Sequence, residues 1–110
     1  MKFSLSRIVI AIGATLIFAN AAHAQAWPNR PIKFVVPFAA GGANDLMARA
    51  AAEGATKVLG QPVVIDNKPG AGSTLGADLV AKSAPDGYTF LISAAGVISN
   101  HMIKKSMPYK

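Results

Sequence analysis

Ile32-Lys33-Phe34-Val35-Val36-Pro37-Phe38-Ala39-Ala40-Gly41-Gly42-Ala43-Asn44-Asp45 is the stretch on which the fold turns. The β-branched and aromatic run 32–36, closed by Pro37, reads as a strand. Small residues and a glycine pair follow, and a helix is predicted from about Asn44 to Leu59, with Gly60 as its stop and Pro62 just beyond. Strand, glycine loop and helix together open a βαβ unit. Along the helix, Asp45, Arg49, Glu53 and Lys57 recur at i,i+4 and stack on one face. Leu46, Met47, Ala50, Ala51, Gly54 and Val58 lie largely opposite and are expected to pack inward.

The same order repeats downstream. Val63-Val64-Ile65 reads as a second strand, too apolar to expect at an exposed position, and leads into Asn67-Lys68-Pro69-Gly70-Ala71-Gly72. A short helix then opens at Ser73 or Thr74, with Leu75, Leu79 and Val80 as its inner face and Asp78 with Lys82 as an outer ion pair. Ala84-Pro85-Asp86-Gly87 makes a turn, Tyr88 to Ile92 a third strand, Ser93-Ala94-Ala95-Gly96 a loop, and Val97 to Lys105 the start of another helix. The strand ends, near Val36, Ile65 and Ile92, have spacings close to the ~30 residues of a βαβ unit. The fold class is therefore α/β, a β-α-β-α-β parallel sheet. Right-handed crossovers place loops 37–43, 66–73 and 93–100 together at the carboxyl ends of the strands, where open α/β sheets bind ligands. Glycine and alanine there allow close approach to the backbone, and helix N-termini offer free N–H groups. A small anionic ligand fits such a surface.

Upstream, the chain is addressed for export. Lys2 and Arg7 form a basic start, Ile8 to Phe18 is almost wholly apolar, and Ala22-His23-Ala24 is a small-x-small cleavage pattern. The apolar run meets Asn20 and His23 too soon for a membrane span, which needs about 20 residues. The expectation is a signal peptide over 1–24, cleaved after Ala24, and a periplasmic chain from residue 25 that is not membrane-embedded. Without a cysteine beside the site or an Arg-Arg pair, a lipid anchor there and the twin-arginine route are set aside in favour of general export. Removing Lys2 and Arg7 lowers the net charge from +6 to +4. The remaining cations are scattered, with only Lys104 and Lys105 adjacent, so no basic stripe tracks a nucleic acid. No cysteine is present, so packing alone must hold the fold.

Catalytic and cofactor chemistry finds little to stand on. His101 is the one histidine beyond the leader and has no second histidine or cysteine for a metal site; it reads as a solvent-facing helix residue. Ser93 follows a strand without the flanking glycines of a nucleophile elbow. Gly70-Ala71-Gly72-Ser73-Thr74-Leu75-Gly76 approaches a dinucleotide fingerprint, but its last gap is three residues instead of two. Asp66 ends the strand before that loop, the wrong order for a ribose contact. Gly41-Gly42 lacks the Gly-Lys-Ser/Thr of a P-loop. An exported Rossmann-like nucleotide-binding fragment, or a free-standing interaction domain, is the alternative reading. Asp45 admits two roles, a ligand contact or a partner of the helix dipole and Arg49. No enzyme activity, cofactor or metal is expected.

As a set, the motifs resemble a known family. Trp27-Pro28-Asn29-Arg30-Pro31-Ile32, Val35 to Gly42 with Asp45, Leu59-Gly60-Gln61-Pro62-Val63-Val64, Asn67 to Gly72 and Ala84-Pro85-Asp86-Gly87-Tyr88-Thr89 are similar, in order and spacing, to the Bug family. These are the TctC-like extracytoplasmic solute receptors of tripartite tricarboxylate transporters. The resemblance implies a type II periplasmic-binding, two-lobed fold that closes on a carboxylate-bearing solute and hands it to membrane permease subunits, with no reaction catalysed. It places the ligand against Pro37, Phe38, Ala39, Ala40, Gly41 and Gly42, with Asp45 near. Gly70, Ala71, Gly72 and Ser73, and the segment from Ser93 to Asn100, would line the same cleft. Family receptors are longer, so residues 25–110 are expected to be a truncated, N-terminal part of lobe 1. Such a part is expected to bind a ligand weakly if at all, because enclosed sites bury 70–90% of a ligand.

Overall fold

The computed structural model describes residues 26–109, so the expected signal peptide lies outside the described residues. Strand β1 (Ile32–Val36) is central in a three-stranded sheet of order β2-β1-β3. Its neighbours β2 (Val63–Asn67) and β3 (Thr89–Leu91) are both parallel to it, with Phe34 opposite Ile65 on one side and Phe90 on the other. Helix α1 (Ala43–Leu59) crosses from β1 to β2, and a 3-10 turn (Ala71–Ser73) with helix α2 (Thr74–Ala81) crosses from β2 to β3. These two crossovers run in opposite directions across the sheet, so their right-handedness puts the helices on opposite faces. Helix α3 (Gly96–Ile103) follows β3. The central strand is covered on both sides, and Ile32, Val35 and Val36 are fully buried with Ala48, Ala52 and Ala77. Among the described residues no helix is long and apolar enough to cross a membrane.

The element order is the expected one, but the helix faces are not. On α1 the buried row is Asp45, Ala48 and Ala52, while Leu46, Met47 and Val58 face outward at 60, 65 and 85% exposure. The expected inward stripe is thus the outer one. Alanines let the helix lie close on the sheet, and Asp45 can join them because its carboxylate meets donors from the first loop, the end of β2 and Arg49 one turn along the helix. On α2 the buried residues are Thr74, Gly76 and Ala77, and Leu75 and Leu79 are exposed. Gly76 sets that face: a Cβ there would lie 2.8 Å from Pro37 Cβ and 3.2 Å from Lys68 O. Strand β2, expected to be shielded, is an edge strand with Val64 half exposed.

Element ends follow local chemistry. Gly60 takes a left-handed φ of 69° and donates to Thr56 O, closing α1. Thr56 Oγ1 accepts from the Val63 amide at 3.1 Å, so the end of α1 is tied to the start of β2. The lead-in is pinned to the turn before β3: Arg30 meets Asp86 at 2.7 Å and lies 4.1 Å over the Tyr88 ring, which also packs on Trp27.

Candidate functional site

The parallel sheet brings the three loops to one end, and hydrogen bonds join them. Pro37 is buried beneath Gly76, and Phe38 O accepts from Asn67 Nδ2 at 3.1 Å. The same Asn67 amide donates to Asp45 Oδ1 at 2.9 Å, and Asp45 Oδ2 accepts from the Gly41 amide and from Arg49 Nε, each at 2.8 Å. Asp45 is fully buried, with both oxygens engaged. The Arg49 guanidinium first, then the Gly41 and Asn67 donors, holds its carboxyl down from 3.8 to about 2. The carboxylate therefore shapes the 37–42 loop from beneath. The Gly42 amide turns back to Ala39 O at 3.4 Å, and Ala39 and Ala40 remain exposed beside it.

The second loop has an unusual backbone. Gly70, Ala71, Gly72 and Ser73 all have positive φ, at 136, 48, 63 and 71°. Ala71 and Ser73 carry a Cβ into the left-handed region, which costs roughly 1–2 kcal/mol for each such residue. From α3, Asn100 Nδ2 donates to Gly72 O at 2.7 Å, and Lys104 Nζ, from the residue just past its end, donates to Ala71 O at 2.9 Å and to Thr74 Oγ1 at 2.6 Å. Ser93, two residues past β3, has a buried hydroxyl oxygen without a hydrogen-bond partner.

Of the sequence-predicted residues, Pro37 to Gly42 and Asp45 form one cluster, and Gly70 to Ser73 form a second with Asn100. No hydrogen bond carries Ser93 into either cluster. Sequence reasoning missed Asn67, which bridges loop and helix, and Lys104. For Asn67 a signal was present: a side chain that donates and accepts, placed at the carboxyl end of β2. A cavity of about 400 Å³ between α1 and β2, lined by Arg49, Glu53 and Lys57 among others, lies away from both loops. So does one of about 210 Å³ lined by Trp27, Phe34, Leu59 and Phe90.

This fold, with its loops gathered at one end of the sheet, is that of periplasmic binding proteins, and solved structures of that class superpose on it. A Rhodopseudomonas palustris protein with adipate is 40% identical over 77% of this chain and 29% of its own, with a TM-score of 0.73. MatC from Rhodopseudomonas palustris, with bound malate, is 49% identical over 59% of this chain and 22% of its own, with a TM-score of 0.57. The family model for the tripartite tricarboxylate transporter family receptor, TctC, matches residues 47–110, and the chain belongs to that family. The match begins beyond the 37–42 loop, but similarity to curated relatives includes it: the protein BugT of Bordetella pertussis is 43% identical over 97% of this chain and 34% of its own length. The chain spans about a third of the length of the curated relatives it matches.

Proposed function

We propose that this chain is the N-terminal part of lobe 1 of an extracytoplasmic solute receptor, which binds a small carboxylate-bearing solute for delivery to membrane permease subunits and catalyses no reaction. Residues 1–24 serve as the signal peptide, and residues 25–110 work in the periplasm. The observation that carries the reading is the pair of braced loops at the carboxyl end of the sheet. The 37–42 loop is held from beneath by Asp45 and Asn67, and the 70–73 turn is held from α3. The Gly41 and Gly42 amides are committed within the loop, so Ala39 and Ala40 are the exposed positions at which its backbone meets a solute. Dicarboxylates are the first solutes to test, since related structures hold adipate and malate.

Titration of the isotopically labelled chain with malate, followed by NMR, tests this. Saturable shifts at the amides of Ala39, Ala40, Gly72 and Ser73 are expected, with malamide, the uncharged diamide, giving none. Shifts scattered over the surface, or none at high millimolar malate, would count against the proposal.

A further inference from the structure

The turn at 70–73 holds two non-glycine residues in a conformation that persists only where its surroundings dictate it. What dictates it is α3. Asn100 within it and Lys104, the residue that caps its carboxyl end, together take the carbonyls of Gly72 and Ala71. In a planar trans peptide the N–H points opposite to the C=O. Fixing the Ala71 carbonyl toward α3 therefore turns the Gly72 amide away from it, while the Ser73 amide closes the 3-10 turn onto the Gly70 carbonyl.

Lys104 also brings charge. The chain has five acidic residues, and each is already ion-paired: Asp45 with Arg49, Glu53 with Lys57, Asp66 with Lys33 and Lys68, Asp78 with Lys82, and Asp86 with Arg30. The half-buried Lys104 ammonium is thus balanced by none of them and is bound by two neutral oxygens. A cation donating to a peptide carbonyl polarises that peptide, and the N–H on its far side becomes a stronger donor.

We propose that Asn100 and Lys104 are positioning residues of the solute site: they hold the carbonyls of the 70–73 turn so that the Gly72 amide meets the carboxylate, and Lys104 strengthens that donor. The proposal rests on the solute-receptor reading above and concerns how that site is built. It requires no contact between Lys104 and the solute.

The test uses the full chain and variants Lys104→Met, Lys104→Arg, Asn100→Asp and Asn100→Gln, with malate as probe. In the ligand-free state, K104M is expected to move the Gly72 amide resonance upfield and to speed hydrogen exchange at Gly72 and Ser73, with the β1 amides unchanged. Its malate affinity is expected to fall about fivefold or more, as loss of a charge-assisted hydrogen bond implies, and K104R to restore most of it. N100D, which replaces the amide donor by an acceptor at equal size, is expected to weaken malate similarly, and N100Q less. If K104M lowers overall stability, N100D and the K104R rescue carry the test. Unchanged Gly72 and Ser73 amides in ligand-free K104M, or wild-type malate affinity in both K104M and N100D, overturn the proposal. A wild-type chain that binds no malate overturns the receptor reading instead, and is told apart because the ligand-free amide shifts report the clamp independently.

Discussion

Asp45 gathers a guanidinium, a backbone amide and a side-chain amide onto one buried carboxylate, and it does so at the point where the first loop turns into α1. Its folded pKa, about 2, lies below the ordinary carboxylate value. The sign of the linkage follows: a depressed folded pKa contributes stability that is fully present above the unfolded value near 4 and is lost as pH falls toward 2. Asp45→Asn keeps the shape but cannot accept the Gly41, Arg49 and Asn67 donors together. The variant is expected to melt several degrees lower at neutral pH. Its melting temperature should also fall less steeply than that of the wild type between pH 4 and pH 2, measured by circular dichroism; parallel acid profiles would show that the carboxylate adds nothing. Gly76 makes a second prediction at this scale. Its missing Cβ is filled by Pro37, so Gly76→Ala must displace backbone of the first loop or of α2. A loss of about 1–3 kcal/mol in urea unfolding is expected, and a neutral G76A would mean that the loop has room to give.

Among the elements, α1 separates what pattern reading can see from what it cannot. Its span, its Gly60 stop and the strands around it were legible because each is written locally, in β-branched runs, glycine loops and a left-handed C-terminal residue. The inward face was not. Helical periodicity marks two stripes, and the larger side chains of Leu46, Met47 and Val58 favour the wrong one. The choice is made by partners at Gly41 and Asn67 and by the close approach that Ala48 and Ala52 permit, none of which periodicity registers. The two loops were legible as a site for the same local reason. The clamp from α3 was not, since Asn100 and Gly72 are 28 positions apart in the chain. The inverted face is directly testable. Ala52→Leu is expected to cost about 1–3 kcal/mol through overpacking against the sheet, while Leu46→Gln is expected to stay within about 0.5 kcal/mol of the wild type. A helix packed by its larger side chains would reverse that order.

Across the whole molecule, the covering of the sheet is uneven. Helix α1 lies over β1 and β2, and α2 lies over β1 and β3, so α1's face of the sheet is open beside β3. There Phe34 and Phe90 meet edge to face with ring centroids 6.1 Å apart, and Phe90 and Trp27 are 40 and 50% exposed. The 210 Å³ cavity they line with Leu59 and Ile92 is almost wholly apolar. An open apolar patch of this kind takes up an amphiphilic aromatic dye in the native state, without any loosening of the core. The chain is therefore expected to enhance ANS fluorescence well below its melting temperature. Phe90→Lys, which puts a charge at the patch, is expected to remove most of that signal and to leave the amides of the 37–42 and 70–73 loops unmoved. Because ANS is itself an anion, competition decides where it sits: dye held by the Phe34 and Phe90 surface stays bound at saturating malate, whereas dye displaced by malate occupies the loops, and the aromatic patch would then be closed to ligands of that size.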